Sequence, residues 1–354
     1  MTKVGGCVLA VAALCVGADA SAQPFYAGKR LTILVGVDAG GTIDTLARTF
    51  AGGLRKHIPG NPTIVIQNMP GAGSATATNY LFERAAPDGL TILYGSWDPL
   101  AQALGDQGLR ARYEKFEFLG GTGDIRVVYG RRDMIAGGVK SPADIMKAET
   151  VVLGSLNSTD ISGLLPHLAL RTLGVKHKLV VGYRGGNDVF LALQRGEVNV
   201  HSTSITTFRG RNAQFVKSDG IGFAYLVPVD DKGRYETSKF ITEMPAFPDL
   251  HKQVHGKAPS GAMWNALNWL TNQTGELTFV GLAPPATTDP LLVILRKAYD
   301  AASNDPEFIA ESTKRFGMPY TYIDVERGRG VFNSLAGVED GVLTTLRAAI
   351  TGQN

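Results

Sequence analysis

Short apolar runs rich in β-branched residues alternate along this chain with Gly-rich polar turns, followed by stretches whose apolar positions recur every three or four residues. The first run, 31–37, reads LTILVGV. A turn of Asp38, Ala39, Gly40, Gly41 and Thr42 follows, and then Ile43, Leu46, Ala47, Phe50, Ala51, Leu54 and Ile58 fall on one face of a helix. The second unit is TIVIQ at 63–67, a turn from Asn68 to Gly73, and a helix from Ser74 towards Arg84. LTILY at 90–94 is a third strand, with Gly95, Ser96, Trp97 and Asp98 behind it. Strand runs alternating with helical periodicity predict an α/β fold.

The same grammar continues through the middle of the chain. Residues 125–129, 151–153, 178–181 and 198–200 read as strands. Ser141, Pro142 and Asp144 mark a helix start with a cap, a first-turn proline and an acid three residues on. Gly196 is placed to close the helix that ends at Arg195. From 229 to 275 strand signals fade among polar residues, Pro and Gly. Then 277–282 reads as a strand, followed by two capped helices starting at Asp289-Pro290 and Asp305-Pro306, the second ended by Gly317.

Residues 1–22 have a different character: Lys3, an apolar run from Val4 to Val16, then small residues ending Ala20-Ser21-Ala22. The pattern predicts a secretory signal cleaved after Ala22, since the run is shorter than the ~18 apolar residues that span a bilayer. Cys7 and Cys15, the two cysteines of the chain, leave with it. The mature protein is then expected to hold no disulfide and no thiolate metal site. Leu14 before Cys15 argues against a lipid-anchoring signal. The formal charge is +3, with basic and acidic residues scattered rather than blocked, so no nucleic-acid footprint is expected. A length of 354 residues suits two domains.

Catalytic motifs are missing where they would be sought. Gly71-Ala72-Gly73-Ser74-Ala75 has the wrong order for a serine elbow, no glycine turn carries the lysine of a phosphate loop, and the glycines at 120–123 are too few for a dinucleotide fingerprint. His251 and His255, four apart, lack a nearby acid and make a weak metal signal. No catalytic residue, cofactor or metal is therefore expected. The glycine- and hydroxyl-rich turns are the notable feature. Each follows a strand and opens a helix, where unpaired amides and the helix dipole suit a carboxylate or other anion. A mere connection is the plain alternative for each one.

In order along nearly the whole mature chain, these segments resemble the Bug family, the periplasmic solute-binding proteins of tripartite tricarboxylate transporters. The resemblance rests on Val35 to Arg48, on Ile66 to Ser74, on Ala86 to Leu93, on Tyr183-Arg184-Gly185-Gly186, on Leu193 to Asn199, and on Phe279 to Pro285. It implies a two-lobed periplasmic binding protein of type II-like form, each lobe a β-sheet flanked by helices, with the ligand cleft between them. Residues 23–124 and 226–354 would form lobe one and 125–225 lobe two. Carried over by position, Gly40, Gly41, Thr42 and Asp44 of the first turn and Gly71, Ala72, Gly73 and Ser74 of the second would hold a ligand carboxylate. Ser96, Asn157 and Thr159 would line the cleft. Ile161-Ser162 replaces the family's common histidine pair, the first turn departs from the usual G-G-G-T-D, and Asp38 stands where proline is common. Asp38 would repel a bound carboxylate unless it points away or is protonated.

Three further residues carry two readings each. Arg184 is either a clamp for a second carboxylate or an exposed turn residue; Trp97 lines the cleft or fills the core; His201 is a specificity group or a plain polar residue. The Asn157-Ser158-Thr159 sequon is coincidental on a bacterial reading. The function implied is capture of a small organic carboxylate by a monomer and its delivery to transporter membrane subunits. A secreted hydrolase on a similar scaffold, or a module presenting ligand to a sensor kinase, are the alternatives.

Overall fold

The computed structural model describes residues 23–40, 42–316 and 320–352. The expected signal segment 1–22, Gly41 and the helix stop at Gly317 lie outside the described residues. Two sheets form, each with helices on both faces.

The first sheet begins with β1 (Arg30–Val35), α1 (Thr42–His57), β2 (Thr63–Asn68), α2 (Ala75–Glu83), β3 (Thr91–Ser96), α3 (Pro99–Leu104) and β4 (Glu117–Thr122). β1 pairs in parallel with both β2 and β3, so the loops leaving all three strands emerge along one edge. Side chains alternate between two cores: Ile33 and Val35 face the helix side of α1, while Leu34 faces the opposite cluster with Trp97 and Phe118.

The chain then crosses to the second sheet through only Gly123, Asp124 and Ile125. That sheet contains β5 (Arg126–Arg131), β6 (Val151–Ser155), α4 (Ile161–Leu173), β7 (His177–Val181), α5 (Gly186–Arg195), β8 (Val200–Ser204), α6 (Ile205–Arg209), α7 (Ala213–Ser218) and β9 (Gly220–Tyr225), in the order β7-β6-β8-β5-β9. Gly196 does close α5, in the left-handed conformation at φ 77°. Ser141 and Asp144 form the expected capping box, but the element they open is a 3₁₀ helix, Pro142–Lys147.

The return passes through α8 (Phe247–His255) and α9 (Ala262–Glu276) into β10 (Phe279–Ala283), which runs antiparallel between β3 and β4. α10 (Asp289–Ser303), α11 (Pro306–Phe316), the short β11 (Tyr322–Ile323), α12 (Val325–Ser334) and α13 (Asp340–Thr351) complete the chain. α8 and α9 occupy the stretch where the sequence offers few signals, because α9 carries Asn265, Asn268, Asn272 and Gly275 among its apolar residues. Asn268 is used structurally, bonding the backbone of Val229 in both directions at 3.1 and 2.8 Å. Leu250, Ala266, Leu267, Leu270, Val342 and Leu346 share one core with Leu164 and Leu168 of α4. Within the segment 226–354, β10 to α12 pack on the first sheet, whereas α8, α9 and α13 share a core with α4 of the second sheet and Leu100 of α3.

The two crossings touch. Asp124 N–H donates to Thr278 Oγ1 at 3.0 Å and Thr278 N–H to Thr122 O at 2.9 Å. A Cβ on Gly123 would lie 2.4 Å from the carbonyl oxygen of Gly275, so glycine there lets the two backbones pass in contact.

Candidate functional site

Along the edge of the first sheet where β1, β2 and β3 end, the first two glycine turns form one braced assembly. The second turn is the most strained backbone in it. Gly71, Ala72, Gly73 and Ser74 have φ values of 133°, 46°, 63° and 83°, so two residues with side chains lie in the region glycine favours. Such residues cost of order 1–3 kcal/mol each and persist only where surroundings hold them. Ser74 is held by packing: it is buried, its Oγ donates to Gly36 O at 3.2 Å, and a Cβ on Gly36 would come within 2.5 Å of Ser74 Cβ. The amides of Ser74 and Thr76 turn back to Gly71 O. Those of Ala72 and Gly73 have no protein acceptor among the described residues, and nothing lies within 4 Å of where a Gly73 Cβ would stand.

Asp44 ties the first turn to the second. Its carboxylate, 2% exposed, accepts from Gly40 N–H at 2.8 Å, from Arg48 Nε at 2.9 Å and from Asn68 Nδ2 at 2.9 Å. Asn68 Nδ2 also donates to Val37 O at 2.9 Å. Burial raises the Asp44 pKa, but the bonds from Arg48, Gly40 and Asn68 outweigh it and hold the carboxyl below its usual range. Asp44 therefore acts as a brace inside the turn, and the Gly40 amide is already spent on it. Gly41 is outside the described residues, as is the side chain of Thr42. Asp38 is exposed.

The other residues singled out from the sequence scatter. Ser96 ends β3 beside these turns, its carbonyl accepting from Tyr113 Oη at 3.2 Å. Trp97 is 2% exposed and packs edge-on to Tyr113 at 4.6 Å and against Phe332 at 4.7 Å, which places it in the first sheet's core. Asn157 and Thr159 open the loop into α4 at the corresponding edge of the second sheet; Asn157 Oδ1 accepts from the Thr159 and Asp160 amides at 2.9 and 2.7 Å. Arg184 has a side chain 91% exposed that pairs with Asp188, in the first turn of α5, at 2.8 Å. His201 is buried on β8 beside Tyr129, and burial, followed by the Arg126 and Arg211 charges, pulls its pKa down to about 3, so the ring is neutral.

Sequence reasoning passed over the polar residues of the first crossing. Asp124 accepts from Thr206 Oγ1 at 3.1 Å, and burial pushes its carboxyl up to about 6. Arg126 opens β5 with a wholly buried Nε that has no partner among the described residues. An acid and a base two apart at the mouth of an otherwise apolar strand was the available signal. A cavity of about 440 Å³ lies where both sheets and the crossing meet, with Leu46, Phe279, Asp124, Thr206, Glu236 and Glu276 in its wall. None of the candidate ligand-binding residues singled out from the sequence lines it. Its three carboxylates against Arg327 make the lining acidic, so an anion is better accommodated at the glycine turns. At the amino end of α3, Asp98 accepts from Ala101 N–H at 2.9 Å, and burial, with Asp106 and Asp160 adding, pushes its pKa up to about 6.

Among solved structures, the periplasmic binding protein BugD superposes with a TM-score of 0.66, covering 92% of this chain and 98% of its own at 19% identity. MatC of Rhodopseudomonas palustris, solved with malate, gives 0.63 over 91% and 99% at 18% identity. A second R. palustris protein, solved with adipate, gives 0.67 over 91% and 97% at 16% identity. The fold is that of two-lobed periplasmic binding proteins. A curated relative, a UPF0065 protein from the ttuE-ttuC' intergenic region of Agrobacterium vitis, is 30% identical over 199 residues, 53% of this chain. The match spans 55%, about half, of that relative's length. No protein-family model matches the chain. The family resemblance read from the sequence is met in both comparisons, by the Bug and TctC-type neighbours in structure and by the UPF0065 protein in sequence.

Proposed function

We propose that this chain is a periplasmic solute-binding protein that captures a small organic carboxylate between its two lobes, leaves it chemically unaltered, and delivers it to the membrane subunits of a tripartite tricarboxylate-type transporter. The observation that carries this reading is the left-handed run Gly71–Ala72–Gly73–Ser74, strained and braced against Gly36, with two amides that have no acceptor among the described residues at the edge where the first sheet's parallel strands end. Backbone strain concentrates where a ligand is gripped. Successive backbone amides in a turn can form an anion-binding concavity, and ligands of open α/β sheets sit beyond the carboxyl ends of the strands. That MatC was solved with malate and another neighbour with adipate accords with a carboxylate. The short crossing, with Gly123 against Gly275, suits a hinge about which the lobes close.

Gly73 provides the test, because it has open space ahead of it and a φ of 63° that Asn and Asp tolerate. Gly73→Asp sets a carboxylate where the ligand's would bind, and Gly73→Asn sets a neutral group of the same shape. In a thermal-shift and calorimetric screen of carboxylates, the wild type and Gly73→Asn are expected to be stabilised and Gly73→Asp is not. A ligand at 100 times its Kd adds roughly 2.7 kcal/mol, a readily measured shift. A carboxylate bound equally by all three proteins refutes the placement, and product formed from it refutes the binding-only reading.

A further inference from the structure

The strand that follows the first crossing opens on an arginine whose buried Nε has no partner among the described residues. Arg126 is the first residue of β5, directly after the crossing, and on β8 it is registered with Ser204. Its Nε is wholly buried without a partner among the described residues. Two carboxylates lie near enough to act on it, Asp160 and Asp124, yet neither forms an ion pair with it within 4 Å, and both have other partners. Asp124 takes the hydroxyl of Thr206, and Asp160 takes Ser155 Oγ at 3.2 Å, the Ser162 hydroxyl and the Ser162 amide while capping α4. Other arginines of the chain show what a settled guanidinium looks like. Arg110 grips Glu83 with two bonds of 2.7 and 3.0 Å, and Arg209 grips Glu243 at 2.7 and 2.9 Å.

A buried donor left unmade costs more than a made bond returns, and a planar fork is matched best by a two-oxygen acceptor such as a carboxylate. Arg126 also stands at the ligand-facing edge of the second sheet, since β5 runs antiparallel to β8 and starts where β8 ends and α6 begins. We propose that Arg126 is the second lobe's anchor for the ligand: its guanidinium receives a carboxylate whose molecule is held at its other end by the glycine turns of the first lobe. This assigns to Arg126 the clamping role that the sequence offered to Arg184, and it rests on the carboxylate-binding reading above. Because one end is held by each lobe, a ligand with two carboxylates favours the closed protein over the open one, which is what a closure signal requires.

Calorimetry on the full chain tests it, with malonate, succinate and glutarate each compared with its half-amide, which keeps the shape and removes one charge. The wild type is expected to bind the best diacid about 30-fold more tightly than its half-amide, the lower end of the loss seen when one member of a buried charged pair is removed. Arg126→Gln should bind both alike, at the wild type's half-amide affinity, and Arg184→Ala should keep the full preference. Retention of the preference by Arg126→Gln overturns the assignment, as does a wild type that binds diacid and half-amide equally. The latter comparison needs no variant and holds even if Arg126→Gln fails to fold. If these acids bind and Gly73→Asp abolishes binding while Arg126→Gln discriminates as the wild type does, only this inference falls. If the wild type binds none of them, nor any carboxylate of the broader screen, the carboxylate-binding reading falls and the inference with it.

Discussion

Replacing Gly36 with alanine probes the brace between the two glycine turns. A Cβ at that position would stand 2.5 Å from Ser74 Cβ and 2.6 Å from Ser74 Oγ, distances that side chains do not sustain. One turn must move. Overpacking a well-filled contact costs typically 1–3 kcal/mol, and losing the Ser74 Oγ bond to Gly36 O adds about 1 kcal/mol. We therefore expect Gly36→Ala to lower the unfolding free energy by about 2–4 kcal/mol in urea titrations followed by circular dichroism. Ser74→Gly is predicted to be mild on its own, because removing a side chain from φ 83° recovers about 1 kcal/mol against the lost bond. The double variant decides the matter. With the Ser74 side chain gone, the new methyl has room, so the two changes should be less damaging together than their sum by about 1–3 kcal/mol, a coupling a double-mutant cycle measures directly. Strict additivity within about 0.5 kcal/mol would show that the turns are not packed on each other as described. Ligand affinity should follow the same coupling, falling in Gly36→Ala and partly returning in the double variant.

Further outcomes are expected at Asp44, Arg48 and Asp124. Asp44→Ala strips the acceptor shared by Gly40, Arg48 and Asn68 and should cost about 2–4 kcal/mol. Arg48→Ala, whose side chain is 49% exposed, should cost under about 1 kcal/mol in the same urea titration, and equal losses would mean that the ion pair rather than the turn brace matters. Because the folded pKa of Asp44 is lowered, its contribution is present above the unfolded carboxylate value of about 3.9 and is lost as pH falls through the lower folded value. Asp124 has the opposite sign. With its pKa raised to about 6, the folded protein prefers the protonated acid, so its contribution is full below about pH 4 and is lost as pH rises through 6. Asp124→Asn should therefore gain on the wild type between about pH 4 and 7 by up to about 3 kcal/mol, and a difference that does not vary with pH would contradict the burial of this carboxyl.

Much of the architecture was legible because it depends on local physics. Strand runs, helix faces, the cap at Ser141 and the stop at Gly196 are set by period, dihedral preference and side-chain reach over a few residues. The helices α8 and α9 were not legible. Their polar residues serve contacts such as Asn268 with Val229, 39 residues away, and α9 buries its apolar face against α4, about a hundred residues earlier in the chain. The same split runs through the site. Gly40, Asp44 and the turn from Gly71 to Ser74 were visible as motifs, since several glycine-rich turns between strand and helix recur in one chain, although any one of them could be a mere connection.

What each motif residue does was settled by the fold. Asp44 and Arg48 are one helical turn apart, but only the parallel pairing of β1 with β2 brings Asn68 to Asp44 and Ser74 to Gly36, making a brace of what the sequence presented as ligand contacts. Trp97 and His201 had an open choice between cleft and core, and burial to 2% and 3% exposure put both inside. Arg184 and Arg126 show the limit most clearly. In sequence both are arginines beside a predicted turn or strand; in the folded chain one reaches into water and the other is partly buried at the start of β5, with a wholly buried Nε that has no partner among the described residues. The sequence by itself determined the two-layered α/β texture and the glycine turns, because both are written in short-range periodicity. Only the tertiary structure decided which charges are desolvated and which partners they meet, because burial is a property of the whole packed chain.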